Sequence, residues 1–156
     1  MTARFASLAL LAMAALASSC GGDTAVGGPA DGEIQTALPM EPEGLLDDRI
    51  DADDDPEDWK FIQIDQQDDL FLLFFFDNPK VDAEMALYTG AGNKVASTRH
   101  DPANEFDLIQ VPSLAEGRYY VRVEASQGSS VYTVRSAMGQ MPLMVGSEVN
   151  TEPRPE

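Results

Sequence analysis

Gly117-Arg118-Tyr119-Tyr120-Val121-Arg122-Val123, followed by the turn Gln127-Gly128-Ser129 and then Tyr132-Thr133-Val134, decides the fold. Successive side chains of a strand point to opposite faces. Tyr119, Val121 and Val123 therefore share one face, and Arg118, Tyr120 and Arg122 share the other. One face is apolar and the other is not, which is the pattern of a half-buried strand. Tyr132 and Val134 of the next run join Tyr119, Val121 and Val123 in the core, and Met85 and Leu87 fit the same inward pattern.

Working back from this hairpin, strand-like runs alternate with turn signals roughly every 8 to 12 residues, the spacing of an all-β sandwich. The runs are Trp59 to Asp65, Leu70 to Phe76, Ala83 to Thr89, Lys94 to Thr98, Glu105 to Val111, Arg118 to Glu124 and Ser130 to Arg135. Asp77-Asn78-Pro79, Gly90-Ala91-Gly92-Asn93 and His100-Asp101-Pro102 break them, and Pro112 is expected to stop the fifth. The prediction is an antiparallel β-sandwich of about seven strands with no helix of ten or more residues beyond the N-terminal signal.

These residues resemble the bacterial pre-peptidase C-terminal (PPC) domain. The resemblance rests on Asp58-Trp59 before a strand, Met85-Ala86-Leu87-Tyr88 with Gly92-Asn93-Lys94-Val95-Ala96-Ser97 after it, and Glu105 opening a strand. Above all it rests on the Gly117 to Val123 run with Tyr132-Thr133-Val134. It covers residues 54 to 136. It implies a jelly-roll-like sandwich of a kind usually appended to secreted peptidases. Some such domains bind insoluble polymers, and some bind calcium through acidic residues just before the first strand. The module is expected to stand alone on a lipid tether rather than behind a catalytic domain, and a fold of this kind hosts many roles.

The N-terminus carries an address. Arg4 precedes an apolar run from Phe5 to Ala17, and Ala17-Ser18-Ser19-Cys20 resembles a lipobox ending in the only cysteine. The run is too short to span a bilayer comfortably. Residues 1–19 are thus expected as a lipoprotein signal peptide and Cys20 as the lipidated N-terminus, with Ala17 standing where leucine is usual. Gly21 after the cysteine points to the outer membrane. Residues 20–57 are expected as a flexible acidic tether, 58–137 as the sandwich, and 138–156 as a C-terminal extension. A lone cysteine leaves no intrachain disulfide.

The 156 residues carry 10 Lys and Arg against 27 Asp and Glu, a formal charge of −17. Such a surface repels nucleic acid and anionic headgroups. Catalysis has little support. His100 is the only histidine and reads as a solvated turn residue beside Asp101, no Gly-x-Ser-x-Gly stretch exists, and no zinc set can be assembled.

Two segments could carry function. Asp47 to Asp58 holds eight acids in twelve residues. Its Asp51-Ala52-Asp53-Asp54-Asp55 start fails as an EF-hand, because Pro56 stands where the turn glycine belongs and Ile62 where a bidentate glutamate belongs. A different calcium site could draw on Asp53, Asp54, Asp55, Glu57 and Asp58; the competing reading is a self-repelling linker. The second segment, Leu70 to Phe76, is apolar on both faces. With Leu70, Leu72, Phe74 and Phe76 inward, Phe71, Leu73 and Phe75 point outward, as an interaction patch or as a face covered by the chain itself, and Trp59 and Phe61 could share that face. The functional expectation is a non-catalytic, membrane-anchored envelope lipoprotein whose sandwich is an accessory protein-interaction module. The alternative is an extracellular polymer- or carbohydrate-binding module, with calcium as an optional aid.

Overall fold

In the computed structural model residues 31–142 are described, and they fold as two β-sheets packed face to face. After a 3-10 turn, Ile34–Thr36, come β1 (Leu38–Met40), β2 (Gly44–Asp51), β3 (Glu57–Ile64), β4 (Asp68–Phe76), β5 (Asp82–Thr89), β6 (Lys94–Arg99), β7 (Asp107–Leu114), β8 (Gly117–Gln127) and β9 (Ser129–Met138). One sheet has the order β1-β3-β8-β5-β6 and the other β2-β9-β4-β7. All pairings are antiparallel except β1 with β3, which is parallel.

All seven expected strands form, with ends shifted by a few residues. The period-2 reading of β8 holds: Tyr119, Val121 and Val123 are buried with Tyr132, Val134, Met85 and Leu87. Ile62 and Ile64 of β3, Ile50 of β2, Leu70, Leu72 and Phe74 of β4 and Ile109 of β7 complete the space between the sheets. Each such side chain contributes about 1.5–3 kcal/mol through its burial. The β8–β9 turn needs Gly128, whose φ of 75° lies in the left-handed region.

Three expectations change. The tether is not flexible throughout, because its residues 38–51 supply β1 and β2. In β2 the side chains of Leu46, Asp48 and Ile50 turn inward while Leu45, Asp47 and Arg49 turn out. Acidic residues hid this alternation, and a buried lysine described below makes it tolerable. Pro112 does not stop β7. That strand lies at the edge of its sheet, where a missing N–H costs no ladder bond, and Ser113 beyond it donates its N–H to Asp69 Oδ1 at 2.7 Å. Trp59 and Phe61 do not share a face with Phe71 and Phe75, since β3 and β4 belong to different sheets.

Candidate functional site

The outer face of the five-stranded sheet gathers aromatic and basic side chains. Pairing register sets them in rows. Glu57, Glu124, Glu84 and Arg99 lie opposite one another across β3, β8, β5 and β6. Trp59, Arg122, Ala86 and Ser97 form the next row, then Phe61, Tyr120, Tyr88 and Lys94, and last Gln63 with Arg118. Rows are spaced by two residues, about 6.6 Å, so the first and last stand about 20 Å apart.

The rings of Trp59 and Tyr88 meet over the sheet with centroids 5.2 Å apart. The Arg122 guanidinium lies 5.9 Å from the Trp59 ring and 5.7 Å from that of Tyr88. Arg118 stacks on Phe61 at 4.5 Å. Ala86 beneath is fully buried although it points outward, so these large side chains form a continuous layer. Its rim is tied by charge. Glu57 Oε1 accepts from Trp59 Nε1 at 2.5 Å, Arg122 pairs with Glu124 at 2.7 Å, and Lys94 pairs with Glu84 at 2.7 Å. The Lys94 hydrogen bond holds the Glu84 carboxyl below its usual range, and Glu84 in turn raises Lys94. An aromatic layer held by ion pairs, its Trp59 and Tyr88 rings tilted 48° to each other, can receive polar-edged groups such as sugar rings on individual ring faces, with guanidinium and carboxylate groups at hand for hydroxyls.

Sequence reasoning put Arg118, Tyr120 and Arg122 on the outer face but missed what they meet. Trp59-x-Phe61 alternates with Asp58-x-Lys60, a pattern that by itself would turn the aromatics inward; burial of Asp58 and Lys60 in the charged cluster reverses it. Only register across β3, β8 and β5 assembles the layer.

The proposed calcium residues are not brought together. Asp53 and Asp54 are exposed on a turn closed by backbone hydrogen bonds between Asp51 and Asp55. Glu57 serves the outer face, whereas Asp58 points into the sandwich. Asp55 is largely buried, and burial followed by repulsion from Asp31 and Asp48 raises its carboxyl.

Asp58 instead joins a charged cluster between the sheets. Lys60 is fully buried, and its ammonium donates to Asp31 and to Asp48 of β2. Tyr132 of β9 donates its hydroxyl to Asp58 Oδ2 at 2.8 Å, while Oδ1 has no partner among the described residues. Burial pushes the Asp58 carboxyl up to about 7, against the opposing pull of Tyr132 and Lys60. Burial would lower Lys60, but its hydrogen bonds to Asp31 and Asp48 outweigh it and leave the ammonium above its ordinary value. Three carboxylates converge here, with ligand atoms within 4.8 Å of one another, and the Lys60 ammonium provides positive charge among them.

The Phe71, Leu73 and Phe75 face is not an exposed patch. Leu73 is fully buried, Phe71 is 6% exposed and Phe75 is half-buried. Register sets Leu108 and Arg135 beside Leu73 and Gln110 and Ala137 beside Phe71, and the Phe106 ring lies 5.8 Å from that of Phe75.

His100 is not solvated. Its side chain is 6% exposed, its Nδ1 lies 2.7 Å from Asp107 Oδ2, and its ring packs on Phe76. Asp107 Oδ1 also accepts from the N–H of Asp101. Nε2 is buried without a partner among the described residues, so no nucleophile is joined to the pair and it acts as a staple for the β6–β7 loop. Cys20 and the signal peptide lie outside the described residues. Among the described residues no helix is long and apolar enough to cross a membrane.

No protein-family model and no curated protein matches the chain. Among solved structures, a Yersinia pseudotuberculosis-derived mitogen aligns with 65% of this chain and 90% of its own, at TM-score 0.47 and 11% identity. A periplasmic inhibitor of g-type lysozyme from Aeromonas hydrophila aligns with 65% of this chain and 96% of its own, at TM-score 0.44 and 8% identity. The pre-peptidase C-terminal domain of a collagenase from Bacillus anthracis aligns with 64% of this chain and 93% of its own, at TM-score 0.56 and 12% identity. The sandwich therefore has the fold of a PPC domain.

Proposed function

We propose that this protein is a non-catalytic, membrane-anchored envelope lipoprotein whose sandwich binds an extended polymer, a polysaccharide above all, across the outer face of the five-stranded sheet. The observation that carries this reading is the aromatic layer of Trp59, Phe61 and Tyr88, held by Arg118 and Arg122, with Tyr120 set beside Phe61 and Tyr88 by register. Stacking platforms of this kind suit ligands with flat faces and polar edges. The lipobox-like Ala17 to Cys20 segment supports the anchor. The reading of an accessory subunit docking through Phe71, Leu73 and Phe75 loses its carrier, because Leu73 and Phe71 are buried.

The test is co-sedimentation of the purified full-length protein, in detergent, with a panel of insoluble and cross-linked polysaccharides, repeated with Trp59→Ala and Tyr120→Ala. Retention of the wild type and loss in both variants, with melting temperatures near that of the wild type, is expected. Retention undiminished in both variants would remove the face from the reading.

A further inference from the structure

Arg118 differs from every other basic side chain of the described residues. Lys94, Arg99 and Arg122 on the same face, Arg49 on β2 and the buried Lys60 each pair with a carboxylate. Lys80, Arg118 and Arg135 have no carboxylate within ion-pair distance among the described residues, and of these three only Arg118 stacks on a ring of the aromatic layer. Its partner across the strand is the neutral Gln63, and the loop acids Asp65 and Glu116 make no ion pair with it. The acids of the face, Glu57, Glu84 and Glu124, stand in the row about 20 Å away. The face is thus polarised: carboxylates at one end are engaged, while at the other an exposed guanidinium lies over Phe61 with no carboxylate paired to it among the described residues.

A guanidinium fork matches a carboxylate, and stacking costs it little of that capacity. Phe61 and Tyr120 beside it supply surface for the ring that bears the carboxylate. The net charge of −17 works against dense polyanions, so the ligand's charge must be sparse. We propose that the ligand is an acidic polysaccharide in which uronate residues alternate with neutral sugars, and that Arg118 is the residue that reads the uronate carboxylate. This rests on the polymer-binding reading above.

Affinity is measured by calorimetry for wild type and Arg118→Gln with two polymers, one alternating glucuronate with a neutral sugar and the other the same polymer after carboxyl reduction. Sulfated dextran serves as a dense polyanion. The acidic polymer is expected to bind the wild type about tenfold more tightly than the reduced one, and Arg118→Gln is expected to collapse that ratio to about one. Equal affinity for both polymers, or an equal loss on both in Arg118→Gln, would overturn the uronate assignment and leave the aromatic platform standing. Tighter binding of sulfated dextran that ignores Arg118 would overturn it as well. Binding to none of the three would sink both the assignment and the polymer-binding reading.

Discussion

Replacing Asp58 by asparagine should stabilise the protein, and only above acidic pH. Asp58 is fully buried, its Oδ2 accepts from Tyr132, and burial raises its carboxyl from an ordinary 3.8 to about 7. Between those two values the folded state holds a proton that the unfolded state has released. Stability from this group is therefore greatest below about pH 4, falls as pH rises towards about 7, and is flat beyond. A separation of about three pH units corresponds to about 4 kcal/mol, with a steepest slope of about 1.4 kcal/mol per unit. Asparagine keeps the shape and the acceptor for Tyr132, and its amide nitrogen finds carboxylate oxygens of Asp31 and Asp48 nearby. Asp55, also raised, adds a slope of the same sign, and Glu84, lowered, adds stability that is lost as pH falls through its folded value. Both are common to wild type and variant and cancel in the comparison. Urea unfolding of the two proteins from about pH 4 to pH 8 gives the difference directly. It should grow in favour of Asp58→Asn by up to about 4 kcal/mol across that range. A difference independent of pH, or a variant less stable than wild type at pH 8, would refute the raised Asp58 carboxyl.

Lys60→Met leaves Asp31 and Asp48 buried without their cation and should cost about 3–5 kcal/mol in urea unfolding; adding Asp31→Asn and Asp48→Asn should recover most of it. His100→Ala strips Asp107 of its buried partner, so about 1–3 kcal/mol should be lost and amide exchange should speed up in the β6–β7 loop first. Phe71→Ser should behave as a core lesion of about 3–5 kcal/mol, read as a lower urea midpoint. Cys20→Ala should move the protein from the membrane to the soluble fraction, as fractionation and immunoblotting would report, and persistence in the membrane would count against the acyl anchor.

Much of the sandwich was legible because the relevant signals are local. Alternation in Arg118 to Val123 fixes which side chains turn inward whatever the partner strand, and proline, glycine and asparagine mark the turns. The failures share a cause. Leu70 to Phe76 gave no way to tell an exposed outer face from a covered one, since cover comes from elsewhere in the chain. Leu45 to Asp51 reads as a polar linker until Asp48 is seen to meet Lys60 on the opposite sheet. His100 reads as a loop residue until Asp107, seven positions on, closes over it.

By itself the sequence determined the all-β class, the seven strands from residue 57 onward and most of the core, because strand periodicity and turn chemistry act over a few residues. Tertiary structure alone decided that β2 is a strand, that Asp58 and Lys60 sit in a buried charged cluster, and that Trp59 and Phe61 lie beside Tyr88, Arg118, Tyr120 and Arg122. Those facts depend on which strands pair and in what register, and on charges that burial makes costly unless a residue far along the chain arrives to compensate them.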